Sequence, residues 1–336
     1  MTSDIKVAVS SASLGQHAAH TLDRKIELAA KHGFGGIEVV YPELERYAHT
    51  HGLSLAAAAT RLGELSAASG VQVLALDPFR NFEGHPTTSL AERLAVAADW
   101  IELLRRLGGR YLQVPSQTLR DSHGDRAVLV AELRQLAELA AAAGVAVAYE
   151  PVAWARHVST WEQAWDLVQA VDRPNFGLCL DNFHLITGLW ADNTVPGGRR
   201  PGGDARLRAS LDRLAATDTA DKLFYVQLSD GELFDPPYHP GHPFFDPALD
   251  PRASWSRHAR PFPLEVESGA YFPSAEFLRS ILLDKHYTGW LSLEVFDRRT
   301  REEHAGLEPA AIRAERSWKR LLEAVKPDAG SLTPEV

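Results

Sequence analysis

The chain has 336 residues, of which 45% are hydrophobic and 24% are charged, as is ordinary for a soluble globular protein. Its net charge of −9 argues against a nucleic-acid partner, and it has no apolar run of the roughly 20 residues that a membrane-spanning helix needs. A single cysteine, Cys179, excludes an intramolecular disulfide, and the beginning MTSDIKVAVSS lacks the pattern of a signal peptide, so we expect a cytoplasmic protein.

Short apolar runs alternate with helical patterns along the first half of the chain. The predicted strands are residues 6–11, 36–40, 71–77 and 111–114, and the predicted helices are residues 22–32, 53–68, 90–107 and 125–143. Gly33, Gly70 and Gly144 follow three of these helices, where a glycine is typical of a helix end. The first half therefore predicts repeated strand–helix units.

The second half continues the alternation. Its predicted strands are residues 145–150, 176–181, 223–228 and 290–295, and its predicted helices are residues 160–171, 205–216, 274–285 and 310–325. Residues 230–271 show no regular period but are rich in proline, histidine and aromatic residues, which indicates an ordered lid. We name these residues the lid segment.

Eight strands that alternate with helices, without a linker or a break in composition, predict an α/β fold of the (β/α)8 barrel type. We expect one domain over residues 1–326 and a flexible tail at residues 327–336. A doubly wound sheet is the alternative, but such a sheet usually has a glycine-rich phosphate turn, and Leu14-Gly15 does not provide one.

Four oxygen-bearing side chains lie near the ends of predicted strands, namely Glu150, Asp181, Gln227 and Glu294. The C-terminal ends of parallel strands meet at one face of a barrel, so we expect these side chains to lie close together. A buried carboxylate needs a partner, which is a basic side chain, water or a cation. Salt-bridged strand ends remain the simpler interpretation of each acid taken singly.

Together, these four side chains form a plausible shell for a hard divalent cation. Magnesium or manganese suits the oxygen donors better than zinc, although His184 nearby also permits a softer ion such as cobalt. His184 is a candidate for proton transfer, or alternatively a hydrogen-bond donor to a metal ligand. Cys179 shares the strand of Asp181 and is best explained as a small buried filler.

Two arginines could offset the negative charge of this shell. Arg80 follows the third strand in DPFRNFEG, and Arg257 lies in SWSRHAR within the lid segment. Each could bind a substrate carboxylate through two parallel hydrogen bonds, and each could equally be a solvated surface residue.

Several segments carry a resemblance to a known family, among them YEPVAWARHVSTWEQAW, PGHPFFDP, RASWSRHARPF and GWLSLEVFDRR. The sequence resembles the metal-dependent 3-dehydroshikimate dehydratases of the xylose-isomerase-like barrel superfamily, essentially from end to end. This resemblance implies a metal ion bound by Glu150, Asp181, Gln227 and Glu294. It also implies that 3-dehydroshikimate loses water to give protocatechuate.

The resemblance further implies roles for individual residues. His184 would be the base or a proton shuttle, Glu150 could share the proton transfer, Arg80 and Arg257 would lie near the substrate carboxylate, and Ser254 would take part in lid closure. The partner is then a small molecule, and a homo-oligomer remains open, as does the choice between a catabolic and a biosynthetic pathway.

Three rival functions are less consistent with these residues. A sugar isomerase or epimerase on the same barrel would act on substrates without a carboxylate, which the two arginines disfavour. A DNA-repair endonuclease of similar fold would need more histidines at several metals and a basic face, which the charge of −9 disfavours. A barrel that only binds a metabolite would not need four intact ligands.

Overall fold

The structure is a computed structural model that describes residues 5–219 and 221–326. Eight parallel strands form one closed barrel in the order of the chain. They are β1 (Lys6–Ser10), β2 (Gly36–Val40), β3 (Gln72–Asp77), β4 (Tyr111–Pro115), β5 (Ala146–Glu150), β6 (Phe176–Asp181), β7 (Leu223–Leu228) and β9 (Trp290–Leu293). The predicted (β/α)8 barrel is confirmed, whereas the predicted tail at residues 327–336 lies outside the described residues.

Eleven α-helices occur in the described part of the chain. They are α1 (Leu22–Lys31), α2 (Tyr41–Thr50), α3 (Leu55–Ala68), α4 (Leu90–Arg106), α5 (Arg126–Ala142), α6 (Trp161–Val171), α7 (Asn182–Leu189), α8 (Gly203–Ala216), α9 (Pro251–His258), α10 (Ser274–Arg279) and α11 (Glu308–Ala324). Capping boxes begin α4 at Ser89 and α6 at Thr160. A π-helical turn, Ser280–Asp284, follows α10. No described helix has the length and apolar character to cross a membrane.

Helices α2, α7 and α9 were missed by the sequence analysis. In α2 the residues YPELERYAHT carry only a few apolar side chains, and the buried ones include the charged Glu43. In α7 most residues are buried on all sides, so no amphipathic period is visible. Helix α9 lies in the lid segment, whose prolines and aromatics hide a helical period.

The barrel interior changes from apolar to polar along its axis. Its N-terminal part is filled by aromatic side chains, including Tyr111, Tyr225 and Trp290. Its C-terminal part holds buried carboxyl and amide groups on several strands. In parallel sheets, paired residues face the same side, and Asp181 of β6 pairs with Gln227 of β7. The polar side chains therefore gather at one mouth of the barrel.

The lid segment folds back against this mouth. The carboxylate of Asp230, two residues after β7, accepts hydrogen bonds from the backbone N–H groups of Tyr271 at 2.8 Å and Phe272 at 2.7 Å, which brings the two ends of the segment together. A two-residue strand, β8 (Ala259–Arg260), pairs antiparallel with β10 (Phe296–Asp297). The pairing fixes residue 260 beside the strand ends, and the role of the segment as a lid stays a prediction.

Candidate active site

All four predicted metal ligands are buried at the barrel mouth. Glu150 and Asp181 are the last residues of β5 and β6, Gln227 is the penultimate residue of β7, and Glu294 directly follows β9. The structure therefore brings them to the same end of the barrel. These residues are far apart along the chain, so their convergence follows from the barrel fold and not from any local pattern.

Helix α7 places His184 beside two of these acids. Asp181 caps the helix by accepting a hydrogen bond from the N–H of Phe183 at 2.8 Å. One turn later, His184 Nε2 lies 3.3 Å from Glu150 Oε1 and 3.5 Å from Asp181 Oδ2. Ligand atoms of these three side chains all lie within 4.8 Å of one another, so the group could hold a divalent metal ion.

An arginine that was not predicted neutralises part of this cluster. Arg260 Nη2 lies 2.6 Å from Asp181 Oδ2 and 2.8 Å from Glu294 Oε2, and its Nε donates to Ser229 Oγ at 2.7 Å. Its guanidinium lies 4.9 Å from the ring of Phe183, and only 1% of the residue is exposed. Buried arginines with such bonds are typical of carboxylate-binding sites.

Burial makes the carboxyl groups of the mouth reluctant to ionise. It raises the pKa of Glu150 to about 7, even though Arg260 and the amide of Gln113 favour the charged form. Burial likewise raises the pKa of Asp181 to about 6 and that of Glu294 to about 7. Several acids of raised pKa in one cleft are typical of a functional site and of a place where a cation binds.

The hydrogen bonds of His184 define its tautomer. Its Nδ1 accepts a hydrogen bond from the backbone N–H of Ala153 at 3.2 Å, so in the neutral ring the proton lies on Nε2. Burial lowers the pKa of His184 to about 4, which favours this neutral form. The Nε2–H group points at the acids of the mouth and can donate a proton or a hydrogen bond there.

Gln227 is held by groups inside the barrel. Its Nε2 donates to Glu38 Oε2 at 2.8 Å, and its Oε1 accepts from the thiol of Cys179 at 3.2 Å. Glu38 also accepts a hydrogen bond from the hydroxyl of Ser292. The sequence placed Glu38 within a strand without a role, because nothing in its own segment indicates its distant partners.

The three predicted substrate-binding residues occupy different surroundings. Arg80 is exposed, yet its charge lowers the pKa values of both Glu150 and Glu294, so it lies near the mouth. Arg257 is exposed on α9, and the structure does not bring it into the acid cluster. Ser254 is fully buried and donates to the carbonyl of Phe244, so it joins two parts of the lid segment.

The donor set suits a divalent cation. Glu150, Asp181 and Glu294 provide carboxylate oxygens, and Gln227 provides an amide oxygen. One buried guanidinium bridges two of the three carboxylates, which leaves the cluster net negative when all are ionised. A bound cation would offset that charge and the desolvation of the buried acids.

The sequence matches the family described as xylose isomerase-like TIM barrel over residues 26–323. It is 37% identical over 339 residues to the 3-dehydroshikimate dehydratase of Neurospora crassa, covering 96% of this chain and 94% of that protein. The 3-dehydroshikimate dehydratase of Pseudomonas aeruginosa is 35% identical over 82% of this chain, which corresponds to only 36% of that protein. The solved structure of a xylose isomerase-like TIM barrel/4-hydroxyphenylpyruvate dioxygenase fusion protein has a TM-score of 0.73 at 29% identity, covering 96% of this chain and 44% of that one. The chain therefore belongs to the xylose isomerase-like TIM barrel family.

Proposed function

We propose that this chain is a metal-dependent 3-dehydroshikimate dehydratase, a hydro-lyase that converts 3-dehydroshikimate and releases protocatechuate and water. The observation that carries the proposal is the 37% identity to the Neurospora crassa dehydratase over nearly the whole of both chains. The barrel mouth supports the proposal, because it holds buried acids, a neutral imidazole and a buried arginine. These groups suit a substrate that carries both a ketone and a carboxylate.

The divalent metal would be bound by Glu150, Asp181, Gln227 and Glu294. Carboxylate oxygens of Glu150 and Asp181 lie within 4.8 Å of each other, and His184 lies beside them. When bound, it would supply a positive charge that polarises the C3 ketone and so acidifies the proton on C4. Magnesium, manganese and cobalt are the ions that we propose for this oxygen-rich set.

The substrate carboxylate would be bound by positive side chains at or near the barrel mouth. Arg80 lies near the mouth, and Arg260 presents a guanidinium among the acids. Arg257 remains a candidate only if the lid segment rearranges, because its side chain is exposed on α9. Ketoses have no carboxylate, so a site that binds a carboxylate on these charges would favour 3-dehydroshikimate over a ketose.

Glu150 and His184 are placed to share the proton transfers. Glu150 Oε1 takes the C4 proton, the C4–H electrons form the C4–C5 double bond, and the C5–O bond breaks. His184 Nε2–H gives its proton to the departing hydroxyl, which leaves as water. The proton on Glu150 then returns to His184 across their separation of 3.3 Å. Loss of a C6 proton and protonation of the C3 oxygen complete the aromatic ring.

The single cysteine, Cys179, is buried and unpaired, which fits our proposal that the protein works in the reducing cytoplasm.

The rival function is a sugar isomerase or epimerase on the same barrel. The metal-loaded protein is incubated with 3-dehydroshikimate or with a panel of ketoses, and chromatography of the products distinguishes a dehydratase from an isomerase or epimerase. We expect protocatechuate from 3-dehydroshikimate and unchanged ketoses. Isomerised or epimerised ketose, without protocatechuate, would overturn the proposed function in favour of the rival.

A further inference from the structure

Glu38 is a buried carboxylate that takes no part in the steps above. It lies in β2 with no exposed surface, and it accepts hydrogen bonds on both of its oxygens. Oε2 accepts from the amide nitrogen of Gln227 at 2.8 Å, and Oε1 accepts from the hydroxyl of Ser292. Three strands of the barrel, β2, β7 and β9, are thereby joined through one side chain.

These contacts decide the orientation of the Gln227 amide. The two ends of an amide differ only in that nitrogen donates and oxygen accepts. Glu38 uses both oxygens as acceptors, so it must face the nitrogen end of Gln227. The bond from Ser292 occupies the second oxygen and keeps the carboxylate from turning. The amide oxygen then lies at the other end, where the thiol of Cys179 at 3.2 Å satisfies one of its two lone pairs.

We infer that Glu38 is a positioning residue that fixes the oxygen end of Gln227 as the metal-binding end. This inference rests on the metal site of the proposed function. Without the carboxylate at position 38, the Gln227 amide could turn over and present its NH2 group, which cannot bind a cation. Partners of metal ligands usually contribute about 10–100-fold to metal affinity.

Asp77 provides a matched control. Like Glu38, it is a buried carboxyl group that faces the barrel interior and feels the charge of Glu294. Its Oδ2 has no hydrogen-bond partner within the described part of the chain. Asp77→Asn therefore replaces a comparable buried carboxyl group without removing a contact to Gln227, so it separates the orienting role of Glu38 from the effect of losing a buried carboxyl group.

The test measures Mn²⁺ affinity by isothermal titration calorimetry on chelator-treated protein, without substrate. Glu38→Gln should weaken Mn²⁺ binding by about 10–100-fold, because an amide at position 38 can present either its oxygen or its NH2 group to Gln227 and no longer fixes the orientation of that side chain. Gln227→Glu should also weaken it, because the new carboxylate would face Glu38. In the double variant Glu38→Gln/Gln227→Glu, the amide at position 38 can donate a hydrogen bond to the carboxylate at position 227. This variant should therefore recover most of the Mn²⁺ affinity that the single variants lose. Asp77→Asn should bind Mn²⁺ nearly as the wild type does.

Three results would overturn the inference: wild-type affinity in Glu38→Gln, a double variant whose losses simply add, or an equal loss in Asp77→Asn. Circular dichroism verifies that each variant folds. If Glu38→Gln does not fold, Ser292→Ala replaces it, because this variant removes the bond that holds the carboxyl group of Glu38 but leaves Glu38 itself in place. In that case Ser292→Ala should also weaken Mn²⁺ binding, and wild-type affinity would overturn the inference. Wild-type protein that binds Mn²⁺ but makes no protocatechuate would overturn the proposed function alone.

Discussion

Arg260 and Asp181 form a buried ion pair, with Nη2 of the guanidinium 2.6 Å from Oδ2 of the carboxylate. The pair joins the lid segment to the end of β6, and the same nitrogen reaches Glu294 at 2.8 Å. The lid segment thus contributes a positive charge to the acid cluster.

We expect Arg260→Lys to lower kcat/KM by about 10–100-fold, because lysine keeps the charge but loses the planar fork. Arg260→Met should in addition lower the free energy of unfolding by roughly 3–5 kcal/mol, because it leaves buried carboxylates unpaired. Steady-state kinetics and denaturant unfolding measure the two effects. The matched control is Arg126→Lys, at an exposed arginine that pairs with Asp166 away from the barrel mouth. Equal losses of kcat/KM in Arg260→Lys and in the control variant would contradict a specific role for Arg260 in the site.

Removal of a metal-binding carboxylate should abolish turnover while the barrel persists. We expect this for Glu150→Ala and for Glu294→Ala, because each residue lies at a strand end and outside the apolar core. Turnover is measured by protocatechuate formation, and the fold by circular dichroism. Activity like that of the wild type in either purified variant would remove that residue from the metal site.

The stability of metal-free protein should fall as the pH rises. Burial raises the pKa of Glu150 and that of Glu294 to about 7, above the ordinary value of 4.5, so the native state binds more protons than the unfolded state between these values. The contribution of such raised carboxyl groups is present below the unfolded pKa and is lost as the pH rises through the folded pKa.

Thermal unfolding of chelator-treated protein between about pH 5 and pH 8 tests this prediction. We expect Tm to fall with rising pH, and added divalent metal to oppose the fall, because the ligands bind a cation only when ionised. A metal-free Tm that rises steadily through neutral pH would show that these carboxyl groups ionise easily in the folded protein.

His184 should carry its proton on Nε2 in the free enzyme, because Nδ1 accepts from the N–H of Ala153. Nitrogen-15 NMR of the imidazole reports the tautomer directly, and the signal should not titrate near pH 6.5, because burial lowers its pKa. A proton on Nδ1 would exclude the proposed donation from Nε2. We expect His184→Ala to lower kcat by about 10²–10⁴-fold, as is usual for a proton-transfer residue.

The sequence predicted the barrel well because each strand is a compact apolar run, and because strand ends in parallel barrels share one mouth. Glu150, Asp181 and Glu294 could therefore be chosen from their positions alone. Arg257 was considered from the sequence, and Arg260 was not. In a lid segment without a regular period, only the pairing of β8 with β10 reveals that residue 260 turns inward.

Glu38 illustrates a second limit of the sequence. Its position inside an apolar strand is visible, but its partners Gln227 and Ser292 lie 189 and 254 residues away along the chain. The closure of the barrel and the stagger of its strands determine which residues face each other across the interior. No local sequence pattern shows this. Contacts of this kind need the folded structure.

We propose above all that the acids at the barrel mouth support a metal-dependent dehydration. The most direct measurement is the ultraviolet absorbance of protocatechuate after chelator-treated protein is mixed with 3-dehydroshikimate, before and after addition of magnesium, manganese or cobalt. We predict no product without metal and rapid product formation once at least one of these ions is added. Product formation at the same rate in the presence of chelator, or none with any of the ions, would contradict the account.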